Sequence, residues 1–161
     1  MLKYVEVQVG FSEVPEEIAL CINISGCPYK CKGCHSPHLW KDIGEELTAE
    51  VLERLIGKNP GITCISFMGG DANYMDIISL AKWVKTETKL KVCWYSGAKE
   101  LSDNILPYKY FDYVKTGPYV EELGGLDSPT TNQRFYEVKC EIENGLPFTY
   151  FTDITFKFQK Q

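Results

Sequence analysis

Three cysteines within eight residues, Cys27, Cys31 and Cys34, with His35 directly after the last, constrain this chain more than any other feature. Thiolates are the preferred ligands of soft metals and of iron–sulfur clusters. At spacings n, n+4 and n+7 they converge only if segment 26–35 wraps around a metal centre. Three thiolates on a four-iron cluster leave one iron without a protein ligand. An open position of that kind is where a small molecule is bound and activated, as at a catalytic zinc. The loop therefore reads as a catalytic cluster site. Structural zinc is the alternative: only Cys31 and Cys34 have C-x2-C spacing, no second pair follows, and His35 or His38 would have to complete a Cys3His set. A disulfide framework fits poorly, because seven cysteines is an odd number and 161 residues can bury a core without staples.

A chain of this length suits one domain, expected over 1–161. A net charge of −5 argues against a broad nucleic-acid or anionic-membrane surface. The first twenty residues lack a basic segment followed by an apolar one, and no apolar run reaches the roughly 18–20 residues of a membrane span. Free thiols without an export signal point to the reducing cytosol.

The periodicities alternate between strand and helix. Segment 4–10 alternates weakly, as a first strand or edge, and 20–25 is a clearer strand with Leu20, Ile22 and Ile24 on one face. The cysteine loop leaves its carboxyl end. Thr48 is placed to cap a helix with an apolar stripe of Val51, Leu52, Leu55 and Ile56, ended by Gly57 and Pro60. Segment 62–68 is the nearly continuous apolar run of a strand buried on both faces, and it stops at Gly69-Gly70-Asp71. A helix from near Asn73 carries Ile77, Leu80, Ala81 and Val84 at helical spacing. Strands follow at 90–95 and 111–115, with a short helix around 99–105 between them. Segments 135–140 and 148–158 read as strand-like. Alternation of this kind indicates βα units around a parallel sheet. The cysteine loop, the Gly-Gly-Asp turn, Ser96-Gly97 and Thr116-Gly117-Pro118 would then share the strands' carboxyl edge, where such folds build their sites. Cys21, Cys64, Cys93 and Cys140 lie in strand-like runs and are assigned no chemistry.

With the cysteine loop and the Gly-Gly-Asp turn in place, the sequence resembles the radical S-adenosylmethionine superfamily. Within it the likeness is to the activating proteins of anaerobic (class III) ribonucleoside-triphosphate reductase. Gly33 and His35 match that family's C-x3-C-x-G-C-H/Y form, and Gly69-Gly70-Asp71 stands where many relatives have Gly-Gly-Glu. Trp94-Tyr95-Ser96-Gly97, Gly117-Pro118-Tyr119 and Thr131-Asn132-Gln133-Arg134 also look like its later motifs. Four positions depart from the pattern of the family or of the wider superfamily. Ala72 stands where a proline is common, Gly33 lacks the aromatic residue often found before the last cysteine, and Lys115-Thr116 replaces a more acidic pair.

The resemblance implies a shortened partial (β/α) barrel of the radical SAM type, with a mostly parallel sheet of about four to six strands. It implies that Cys27, Cys31 and Cys34 ligate three irons of a [4Fe–4S] cluster and that S-adenosyl-L-methionine chelates the fourth. Gly33, Cys34 and His35 would lie near the adenine. Gly69 and Gly70 would let the backbone approach the ligand, Asp71 would accept from its ammonium, and Ser96 would reach the ribose or carboxylate. No catalytic side chain is implied beyond the cluster and cofactor. A low-potential donor such as reduced flavodoxin would supply an electron, and a 5′-deoxyadenosyl radical would take a hydrogen from a glycine of the reductase large subunit. The rival readings are a radical enzyme acting on a small molecule, such as a deazapurine synthase, and a non-catalytic zinc-binding interaction module.

Overall fold

Residues 1–159 are described by a computed structural model. Among the described residues there are eight strands: β1 (Lys3–Gly10), β2 (Ala19–Ile24), β3 (Glu45–Glu46), β4 (Cys64–Met68), β5 (Lys91–Tyr95), β6 (Tyr113–Thr116), β7 (Arg134–Glu143) and β8 (Leu146–Asp153). Two helices accompany them, α1 (Ala49–Lys58) and α2 (Tyr74–Glu87). The strands make one sheet in the order β3-β1-β2-β4-β5-β6-β7-β8.

The α/β class holds, but the expected mostly parallel sheet of four to six strands does not. Only the central pairings β2–β4, β4–β5 and β5–β6 are parallel. Antiparallel pairings flank them on both sides. Connection length explains the difference. A parallel pair needs a crossover of about a dozen residues or more, and segment 11–18 is too short to provide one between β1 and β2. β7 and β8 are joined by Asn144-Gly145 alone, with φ of 51° and 78°, the left-handed pair a two-residue hairpin requires. The pairing order runs from β3 to β8 without joining them, so the sheet is open and no barrel closes among the described residues.

Alternation along the central strands separates two faces. Leu20, Ile22, Ile65, Phe67, Val92, Trp94 and Val114 pack against the buried stripes of α1 and α2. The opposite face carries Ala19, Cys21, Cys64, Cys93 and Tyr113 under Val14, Phe135 and Ile154. Thr48 caps α1 as expected, its hydroxyl accepting from Val51 N–H at 3.2 Å. The helix runs through Gly57 and stops at Asn59, whose amide donates to Leu55 O at 2.8 Å, before Pro60.

Two local expectations are corrected. Segment 99–105 is not helical, and a 3-10 turn forms instead at Leu106–Tyr110. Ser102 accepts from Asn104 N–H and Asn104 accepts from Leu106 N–H, so short polar side chains take the amides a helix would use. The strand expected over 148–158 ends at Asp153. Asp153 accepts from Thr155 N–H at 2.9 Å, and the chain enters a 3-10 turn at Thr155–Phe158.

Candidate functional site

Because β2, β4, β5 and β6 are parallel neighbours, the four segments that follow them emerge at one edge of the sheet. The cysteine loop leaves β2 and is tied back on itself. Ser25 Oγ donates to Ile43 O at 2.6 Å, Gly26 N–H to Lys41 O at 3.0 Å and Cys27 N–H to Leu39 O at 2.9 Å. Buried Leu39 anchors the returning arm. Inside the loop, Cys34 N–H donates to Cys31 O at 3.1 Å, and Ser36 N–H points at Cys34 Sγ at 3.4 Å. Gly33 has a φ of +76°, and a Cβ there would lie 2.9 Å from Glu121 Cδ. A larger residue at Gly33 would therefore be both strained and crowded.

The Gly-Gly-Asp turn is fastened to the neighbouring strand. Gly69 N–H donates to Tyr95 O at 3.0 Å, and Gly69 O accepts from Trp94 Nε1 at 2.8 Å. Gly70 has a φ of +90°, and a Cβ would fall 2.6 Å from Ile77 Cδ1. The turn throws the Asp71 carboxylate toward the end of β5. There it accepts from Ser96 Oγ and, at 3.1 Å, from Gly97 N–H. Ser96 is thus bound to Asp71, and its oxygen accepts in turn from Ala98 N–H at 3.0 Å. Tyr29, from the cysteine loop, lies so close over Gly97 that a Cβ there would sit 2.6 Å from its ring. Burial, with Asp71, Cys27 and Cys31 nearby, pushes the Tyr29 phenol up.

Lys115 lies outside the cysteine and Gly-Gly-Asp motifs, and no motif of the sequence gives it a role. The structure buries it at 8% exposure at the end of β6, with Nζ donating to Ser96 O at 3.2 Å and Gly117 O at 2.7 Å. Burial pulls its ammonium down to about 8, while Asp71, Cys31, Cys27 and Cys34 act to hold the proton on. The available signal was its place in the strand. Lys115 alternates with Val114 and shares the inward face of Tyr113, where a lysine is rarely buried without cause.

Two cavities open on this edge. One of about 430 Å³ is lined by Tyr29, Asp71, Trp94, Ser96 and Thr116 among others. The other, about 570 Å³, is lined by Cys34, His35, Tyr95, Lys115, Tyr119 and neighbours. His35 packs its ring against Tyr119 at 5.3 Å between centroids. His38 turns away to Glu6, 2.9 Å distant.

Among the described residues no three His, Cys, Asp or Glu side chains converge on a single-ion position. The donor set nonetheless suits a cluster, in which each thiolate binds a separate iron. Cys27, Cys31 and Cys34 are free and partly exposed on one tied loop, and one of their sulfurs already faces a backbone N–H. Cys21, Cys64 and Cys93 are buried, and desolvation drives their thiols up, Cys21 to about 12, which suits packing and not ligation.

The model of the 4Fe-4S single cluster domain family matches residues 17–132. The anaerobic ribonucleoside-triphosphate reductase-activating protein of Vibrio cholerae serotype O1 is 32% identical over 117 residues, covering 62% of this chain and 72% of that protein. No solved structure matches the chain. The matched span runs from the entry to β2 through the segment after β6 and so takes in every loop at the site edge. The chain belongs to the 4Fe-4S single cluster domain family, in the group of the anaerobic ribonucleoside-triphosphate reductase-activating proteins.

Proposed function

We propose that this chain is a radical S-adenosylmethionine enzyme that activates an anaerobic ribonucleoside-triphosphate reductase by removing a hydrogen from a glycine of that protein. The observation that carries the reading is the meeting, on one sheet edge, of the three-thiol loop with a Gly-Gly-Asp turn locked to Ser96 and Gly97. The Vibrio cholerae relative, an anaerobic ribonucleoside-triphosphate reductase-activating protein, supports the choice of partner. The reading includes one domain over 1–161, built as a shortened form of the radical SAM barrel.

In this proposal Cys27, Cys31 and Cys34 hold three irons of a [4Fe–4S] cluster. When bound, the cluster would supply the electron, drawn from a low-potential donor such as reduced flavodoxin, that splits S-adenosylmethionine and starts the hydrogen abstraction. The chain's own residues do the positioning. Gly69 and Gly70 let the turn take positive φ and pack against Ile24 O and Ile77, which sets the backbone that carries Asp71 at the site edge. Asp71 is held by Ser96 Oγ and Gly97 N–H, so its remaining lone pairs are aimed before a ligand ammonium arrives. Gly33 and His35 border the side on which adenine would lie, and the Tyr29 ring packs over Gly97. Ser96 acts through Asp71.

The test is anaerobic reconstitution with iron and sulfide, dithionite reduction, and assay for 5′-deoxyadenosine. Product is expected from the wild-type chain and lost in Cys31→Ala, together with the cluster's visible absorption. Addition of the reductase should then give a glycyl radical signal by electron paramagnetic resonance. Tightly held zinc without iron uptake would overturn the reading, and efficient turnover of a small molecule without any protein partner would reassign the substrate.

A further inference from the structure

Lys115 is a buried cation with an unusual set of neighbours. Among the described residues no carboxylate lies within ion-pair distance of its ammonium. Its two hydrogen bonds go to neutral carbonyls, Ser96 O and Gly117 O. An ammonium has three donors, so among the described residues one has no partner, and Lys115 lines a cavity with Cys34 and His35. A buried charge without an anionic partner is costly, and a fold keeps one where something else offsets it. Asp71 is a negative group acting on it, and the loop cysteines Cys31, Cys27 and Cys34 would add to that once they ligate as thiolates, Cys34 lining the same cavity. The other cations of that loop, Lys30 and Lys32, are exposed, so water and salt screen them.

We infer that Lys115 is the built-in countercharge of the cysteine loop, a fixed positive charge that raises the reduction potential of the cluster held there. The inference rests on the reading that Cys27, Cys31 and Cys34 bind four-iron chemistry. A cluster held by three thiolates is already negative, and one-electron reduction adds a further negative charge with no proton taken from Lys115. In a site of low dielectric, a nearby cation stabilises the more negative state more strongly. The two carbonyl bonds and the Tyr95 ring, 5.9 Å from Nζ, keep the charge from swinging into solvent. Lys115 acts on the electron's destination and need not touch the reacting atoms, which makes it a positioning residue for charge.

The experiment is a redox titration of the reconstituted full chain, with mediators and the reduced-cluster resonance signal as readout. It compares wild type with Lys115→Gln, Lys115→Met and Lys32→Met. Gln keeps a donor for the carbonyls but no charge, so it carries the comparison if Met fails to fold. With iron and sulfide content equal to wild type, Lys115→Gln and Lys115→Met should titrate at a more negative potential, and a smaller fraction should be reduced at fixed dithionite potential. Lys32→Met should shift far less. A fully loaded Lys115→Gln at the wild-type potential, or an equal shift in Lys32→Met, overturns the inference. A wild-type chain that takes up no iron overturns the cluster reading itself, and the countercharge with it.

Discussion

Asp71 and Ser96 stand 25 residues apart, yet they share the hydrogen bond that gives the site edge its shape. The sequence marks both, one in a Gly-Gly-Asp turn and one at the end of a strand, but each was expected to face a ligand. Ser96 instead faces Asp71, because strand neighbourhood and not motif decides where a short hydroxyl points. Replacing Asp71 with alanine strips Gly97 N–H and the Ser96 hydroxyl of their acceptor in a partly buried place. Loss of such a partner costs about 1–3 kcal/mol, to be read from urea melts of the metal-free chain. If Asp71 also receives a ligand ammonium, the loaded variant should bind S-adenosylmethionine roughly 10-fold or more weaker, since a charge-assisted bond contributes about 1.5–3 kcal/mol. Ser96→Ala should weaken binding less, because Gly97 N–H still holds the carboxylate.

Strands were legible where their own pattern sufficed. The double-sided burial of β4 follows from its apolar run, and Cys21, Cys64 and Cys93 are the small buried hydrophobes their strand setting suggested, whereas Cys140, expected to be the same, is exposed on β7. The three buried thiols also set an alkaline limit. Burial raises all three thiols, while the unfolded chain releases those protons near the ordinary value of 9.0. Above that pH the unfolded state binds fewer protons, so stability is complete below about 9 and declines as pH rises. Each thiol contributes a slope approaching ~1.4 kcal/mol per pH unit. Denaturant melts from pH 8 to 10 should show this decline, and Cys93→Ala should make it shallower. Less legible was the β7–β8 hairpin, although Asn144-Gly145 between two strand-like runs is its turn signal. Segment 99–105 misled because its spacing permits a helix, while Ser102 and Asn104 divert its amides.

Across the whole molecule the two edges of the parallel strands have different work. Opposite the cysteine loop, near the amino ends of β2, β4, β5 and β6, the buried Glu17 carboxylate meets Thr63 Oγ1 at 2.8 Å, Tyr113 OH at 2.8 Å and Lys91 Nζ at 3.1 Å. Burial raises the Glu17 carboxyl, but the bonds from Thr63, Tyr113 and Lys91 outweigh it and leave the group below its usual 4.5. Its stabilisation is therefore present above that pH and lost as pH falls through the lowered value. Glu17→Gln should cost about 1–3 kcal/mol at neutral pH, a range kept modest because Lys91 is half exposed. It should also flatten the acid limb of the melt, with iron uptake unchanged because the network lies at the far edge. The sequence by itself determined the thiol loop, the helix stripes and the sharing of one edge by four loops, because local spacing and the direction of βα crossovers settle these. Only the tertiary structure decided that antiparallel strands flank the parallel core, that Asp71 is held by Ser96, and that Lys115 is buried in a cavity it shares with Cys34. Each of those depends on which distant segments become neighbours, and no local period encodes that.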